Sequence, residues 1–190
     1  MDAEGLLPYH WQNEPTFWSG TSTDLYVLAD PLTDFWWPPE GEEPRSSGHF
    51  RWTAVKGDFV CKVSIESDVA NQSDHCGLMV RASPDSWLKA GLELVDGVVH
   101  FTLVETAGQS RMSLRETPPG TRNVDLRIVS RSRAVRVLYR VPGMDRYDVG
   151  GLVVLPGSNC LNVGMMCASP KGPGFVSQFS NWSLRSGVDL

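Results

Sequence analysis

The sequence predicts an all-β fold, a sandwich or barrel of short antiparallel strands, and three observations predict it. Apolar and polar residues alternate along most of the chain, and no amphipathic helical period lasts beyond two turns. Eighteen glycines and thirteen prolines punctuate the alternating runs at short intervals. Most specifically, His75 to Thr106 reads as three consecutive strands, the last two joined by Asp96-Gly97. An Asp-Gly pair between alternating apolar runs is a strong hairpin signal. It sets Val95 opposite Val98, Glu93 opposite His100, Gly91 opposite Thr102 and Lys89 opposite Val104.

Side chains alternate across a strand. Leu88, Ala90, Leu92, Leu94, Val99, Phe101 and Leu103 therefore share a core face, joined by Cys76, Leu78 and Val80 of the preceding strand. Trp87, Lys89, Glu93, His100 and Thr102 share the opposite face with Met79 and Arg81, around a gap left by Gly91.

In chain order, Pro15 excludes a regular helix from WQNEPTFW, which suits an anchoring strand or loop. Leu25 to Ala29 is a short apolar strand. DPLTDFWWPPEGEEPRSSGHF is then a long loop or lid, an insertion rather than a domain boundary, whose Trp36 and Trp37 either pack over the core or form an apolar wall for a ligand. His49 to Ala54 alternates, with Phe50 on one face and His49 and Arg51 on the other. Asp58 to Glu66 points Phe59, Cys61, Val63 and Ile65 inward, and Asp68 to Asp74 is a polar loop. After the central strands, Ala107 to Ser113 reads as a loop and Pro118-Pro119-Gly120 ends a short strand. Arg122 to Val129 and Arg133 to Val141 form a second hairpin around Ser130-Arg131-Ser132. Gly150 to Leu155 and Cys160 to Ala168 flank Pro156-Gly157, and Gly174 to Leu184 ends the fold.

The 190 residues are expected to form a single domain, 1–190, large enough for a core without disulfides. The four cysteines form no C-x-x-C pair, which removes zinc-ribbon and thioredoxin readings; Cys61, Cys76 and Cys167 are expected as buried thiols. No apolar run approaches the roughly 20 residues of a membrane span. The acidic N-terminus lacks the basic region of a signal peptide, so a cytoplasmic protein is expected. A net charge of −5 argues against nucleic acid; the late arginines Arg127, Arg131, Arg133, Arg136 and Arg140 read as a solvated strand face. No D-x-D-x-D run is present and Asp30, Asp34, Asp68 and Asp74 are scattered in loops, so calcium is not expected; no other metal and no cofactor is expected either.

WQNEP, DFWW, the strand start HF, HCGLMVR, WLKAGLELVDG and GFVSQFSNW together resemble an uncharacterised family of regulation-of-enolase-like proteins, from Trp11 to about Leu184. That family lies in the concanavalin A-like lectin and glucanase superfamily. The resemblance implies a jelly-roll sandwich with one concave sheet. The chain departs from the family in two places. Gly108 to Ser113 lacks a Ser-Asp-Trp element, and Asp74-His75-Cys76 stands where members carry Asp-Gln-Ala.

Three functions are weighed. Superfamily glucanases carry Glu-x-Asp-x-x-Glu on one strand; Glu93-Leu94-Val95-Asp96 does not fit, because Asp96 falls in the turn. Catalysis by a Lys89, Glu93, His100 and Arg81 cluster on an acidic sugar is a weaker enzyme reading, and the same residues would serve as ordinary cross-strand pairs. A lectin-like reading asks less: an aromatic platform and a few polar groups on a concave surface. The expected site is Trp36, His49, Arg81, Trp87, Lys89, Glu93 and His100, binding a carbohydrate or small polar metabolite without catalysis. The alternative is a module that docks on a metabolic enzyme, which the loop DFWWPPEGEEP and the family's link to enolase regulation favour.

Overall fold

The computed structural model describes residues 8–156 and 160–187. Among the described residues it contains sixteen strands and no helix. In chain order they are β1 (His10–Gln12), β2 (Phe17–Gly20), β3 (Leu25–Leu28), β4 (Phe35–Trp36), β5 (Arg45–Ser46), β6 (His49–Lys56), β7 (Phe59–Ser67) and β8 (His75–Ser83). There follow β9 (Ser86–Val95), β10 (Val98–Ala107), β11 (Ser110–Glu116), β12 (Asn123–Arg131), β13 (Ala134–Arg140), β14 (Asp148–Val154), β15 (Cys160–Ala168) and β16 (Val176–Ser186).

Two antiparallel sheets of seven strands form a jelly-roll sandwich. The first runs β1-β6-β15-β8-β9-β10-β11 and the second β14-β13-β12-β7-β16-β3-β2. The short pair β4-β5 stands apart from both. Alternation explains the layering: Cys76, Leu78, Val80, Leu88, Ala90, Leu92, Phe101 and Leu103 of the first sheet meet Cys61, Val63, Ile65, Val124, Leu126 and Ile128 of the second. Phe101 and Tyr139 stack across the interface, centroids 3.9 Å apart. Cys61, Cys76 and Cys167 are buried thiols. Burial pushes the Cys76 thiol up to about 11, which suits a packing role.

The β9-β10 register is the one the Asp-Gly turn predicts, pair for pair. Asp96 and Gly97 both have positive φ, 50° and 80°, as a type I′ turn demands. Elsewhere the boundaries move. Leu94 and Val99, expected in the core, are only half-buried, because the hairpin tip overhangs the sandwich. The expected loop 107–113 is mostly strand: β11 already begins at Ser110 after a tight turn at Gly108. The second hairpin turns at Ser132-Arg133, both with positive φ, rather than around Arg131. No glycine marks that turn, which is why sequence misplaces it. β14 and β15 fall in different sheets, and Gly157 between them lies outside the described residues.

Candidate functional site: a strapped charged cluster on the first sheet

The outer face of the first sheet is built in rows set by strand register. His75 of β8 lies opposite Glu93 of β9, which lies opposite His100 of β10. One row on, Gly77 faces Gly91, and Gly91 faces Thr102. Met79, Lys89 and Val104 make the next row, and Arg81, Trp87 and Thr106 the last. The glycine pair serves the sheet itself. A Cβ on Gly77 would run into the carbonyl of Ala90, and one on Gly91 into that of Cys76. What approaches these glycines is the neighbouring strand. The Lys89 side chain crosses this glycine row to reach His75.

This face is covered. Asp34, Phe35 and Trp36 cross it as a strap, and Phe35 packs among Phe50, Met79, Trp87, Val104 and Met166 in a second apolar cluster. Trp36 and Trp52 border that cluster, and Phe35 meets Trp87 edge-on at 6.5 Å. The strap is tied at both ends. Gly48 N–H donates to Asp34 O at 2.9 Å, and Ser110 N–H donates to Trp37 O at 2.7 Å. Trp37 N–H returns a bond to Ser110 Oγ at 2.8 Å. Arg45 pairs with Asp34 at 3.2 Å.

Beneath the strap, Lys89 is 4% exposed and Glu93 6%. The Lys89 ammonium donates to Phe35 O and to His75 Nε2, each at 2.9 Å. His75 Nδ1 lies 2.7 Å from Ser73 O, so Nδ1 carries the proton and Nε2 is the acceptor that Lys89 needs. Burial, and then the charge of Lys89, hold the His75 imidazole well below its ordinary value of 6.5. Burial also lowers Lys89, against the opposing charges of Glu93 and Asp34. Burial raises the Glu93 carboxyl, against Lys89 and the bond from Thr102.

The predicted residues divide. Trp87, Lys89, Glu93 and His100 share the face, and Trp36 borders it from above. His100 is half-exposed beside Glu93, with Nδ1 2.9 Å from Val98 O. Arg81 lies at the far end of the same face, its guanidinium held by Gln12 Oε1 and Ser83 O. His49 is not brought to the cluster. It pairs with Cys167, whose side chain belongs to the core side, and β15 and β8 separate it from β9. Its ring instead accepts from Asp30 N–H at 2.9 Å and lies 2.6 Å from Asn13 O, joining the N-terminal segment to β6.

A family model described as "Protein of unknown function (DUF1349)" matches residues 11–187. The chain belongs to this family. It is 29% identical over 174 residues to Regulation of enolase protein 1 of Saccharomyces cerevisiae, covering 92% of this chain and 87% of that protein. The crystal structure of a functionally unknown protein from Saccharomyces cerevisiae matches with a TM-score of 0.87 at 28% identity, covering 95% of this chain and 97% of that one. A xylan beta-1,4-xylosidase from Bacillus halodurans C-125 matches with a TM-score of 0.67 at 11% identity. There 98% of this chain overlies 40% of the enzyme, which establishes a shared fold only.

Within this DUF1349 chain, two buried carboxylates differ in a way that bears on function. Asp74 accepts bonds from Ala70 N–H, Asn71 N–H and the Asn71 amide, and from Ser169 Oγ at 2.6 Å. It is a fully paired structural acid that organises the loop before β8. Among the described residues Glu93 accepts a single bond, from Thr102 Oγ1 at 3.3 Å. A buried carboxylate with so few donors is costly unless something else fills its lone pairs. Glu93 thus offers acceptor capacity, Lys89 a third N–H beyond its two bonds, and Trp36 an aromatic wall. Sequence reasoning missed His75, Asp34 and Phe35. His75 was legible, since it shares the parity of Met79 and Arg81; the strap residues follow no period.

Proposed function

We propose that this chain is a non-catalytic, cytoplasmic binding protein. It recognises a carbohydrate or small polar metabolite on the outer face of the first sheet, where the strap meets Glu93, Lys89 and His100. The observation that carries this reading is Glu93, which accepts one hydrogen bond among the described residues, on the same face as the partly committed Lys89 ammonium. Hydroxyl groups of a ligand would donate to Glu93 and accept from Lys89, the pairing polyhydroxylated ligands need. The relation to a xylosidase is one of fold and adds no residue to the argument.

Isothermal calorimetry against neutral and acidic sugars, sugar phosphates and polar metabolites tests it. Binding by the wild type that falls at least about tenfold in Glu93→Ala and Lys89→Ala, each shown by circular dichroism to be folded at the assay temperature, is the expected result. Binding that both variants retain, or none across the panel, overturns it.

A second reading is supported by the relative named Regulation of enolase protein 1: docking on a metabolic enzyme through the exposed tip Glu40 to Pro44. Pull-down with purified enolase, with and without Glu40→Ala, Glu42→Ala and Glu43→Ala together, decides it. Retention unchanged by the triple substitution removes the tip.

A further inference from the structure

The outer face of the second sheet concentrates cations that the proposed function does not use. In one row Val149, Leu138, Arg127 and Lys62 follow one another across β14, β13, β12 and β7. In the next, Leu152, Arg136, Val129, Val60 and Arg185 run from β14 to β16. Arg131 and Ala134 complete the patch. Arg127, Arg131 and Arg136, with Val129, Ala134, Leu138 and Leu152, line a groove of about 560 Å³.

This groove lacks internal compensation. Arg127 and Lys62 are like charges directly opposite each other, an unfavourable cross-strand pair. Among the described residues, no hydrogen-bond partner reaches the buried Arg127 Nε. The neighbouring acid, Asp125, is already held by Arg140 at 2.6 Å and by Ser64 at 2.7 Å. Among the described residues, no carboxylate pairs with Arg127, Arg131 or Arg136. The apolar wall is equally bare: Val149, Leu152 and Val154 are 53%, 61% and 65% exposed. They lie on β14, the open edge of its sheet.

The complementary shape lies on the other side of the same molecule. The strap leaves the first sheet as Pro38-Pro39-Glu40-Gly41-Glu42-Glu43-Pro44, of which Pro39 to Pro44 are all exposed. The tip carries three carboxylates, none in a salt bridge among the described residues. Three prolines stiffen it, which reduces the ordering cost of docking. Tip and groove sit on opposite outer faces of the sandwich, so they meet only between two molecules.

We infer that this chain associates with a second copy of itself, the acidic tip of one molecule seating in the arginine groove of the other. Arginine forks pair with carboxylates bidentately, and the prolines of the tip cover Leu138 and Leu152. The aliphatic half of the groove favours a polypeptide over a nucleic acid, whose backbone is charged throughout. A contact of this size is weak and sensitive to salt. This inference is independent of the ligand reading above.

Sedimentation velocity of the full chain at rising concentration tests it. The wild type associates at low salt, on the order of tenfold less at high salt. Glu40→Lys, Glu42→Lys and Glu43→Lys together abolish association, and so do Arg127→Glu, Arg131→Glu and Arg136→Glu together. Mixing the two reversed proteins restores it, because each tip again meets a groove of opposite sign; this also shows that both variants are folded. A wild type that stays monomeric at low salt overturns the inference. So does association that either triple variant retains, a mixture that stays monomeric, or a monomer whose groove takes up single-stranded oligonucleotide or phosphatidylserine vesicles instead.

Discussion

The outer faces of the two sheets have similar sequence patterns and opposite fates. Both alternate charged and apolar residues, and both carry basic side chains outward, Arg81 and Lys89 on the first and Arg127 and Arg136 on the second. On the first sheet Lys89 and Glu93 end up buried; on the second Arg131 and Arg136 stay exposed. The difference comes from outside either sheet: a strap inserts Phe35 over the first face and nothing in the described chain covers the second. Alternation therefore determines which side of a strand a residue takes, while the environment of that side is set by segments without periodicity.

If Phe35 is the wedge that makes the two faces different, removing it has the largest effect. Phe35→Ala is expected to cost about 3–5 kcal/mol, since the ring is fully buried among Phe50, Met79, Trp87, Val104 and Met166. The comparable truncation on the bare face, Leu152→Ala, is expected to stay within about 0.5 kcal/mol. Urea unfolding followed by tryptophan fluorescence measures both. Equal losses would show that the second face is packed after all.

A smaller effect appears with pH. His75 is neutral in the fold because burial and Lys89 disfavour its imidazolium, so its folded value lies well below 6.5. The unfolded chain takes up a proton near 6.5 and the folded chain does not. The stability due to this group is therefore complete above pH 6.5 and is lost as pH falls below it, by about 1.4 kcal/mol per unit until the folded value is reached. Comparing urea midpoints of wild type and His75→Gln from pH 7 to 5 isolates the contribution. A wild-type slope that the variant keeps would assign the acid sensitivity elsewhere.

How much of this was legible follows the same division. The register of β9 and β10 came from two turn residues, and with it the common face of Trp87, Lys89, Glu93 and His100. The turn at Ser132-Arg133 was misplaced, because serine and arginine in left-handed conformations leave no compositional mark. His49 was grouped with the site although its alternation with Phe50 sets it on the other side of β6; the sequence held that parity but not which side Phe50 would take. The strap's proline, glycine and charge content marks it in the sequence as a long loop or lid, without saying which. That Phe35 would be the anchor, with its carbonyl receiving Lys89, depended on tertiary packing that no local pattern encodes.

The smallest expected change separates a functional pair from a structural one. Lys89 and Glu93 are both desolvated, and their attraction offsets only part of that cost. Substituting either alone leaves the other charge buried without its counter-charge, which is strongly destabilising. Substituting both, Lys89→Met with Glu93→Leu, removes two desolvation costs together and keeps the volume filled. The double variant is expected to lie within about 1 kcal/mol of wild type in urea, well above either single variant. If the fold needed the pair, the double variant would be at least as unstable as the worse single one. A double variant that is stable yet no longer binds in calorimetry would mean that the chain carries this buried charge for recognition, since the fold does without it.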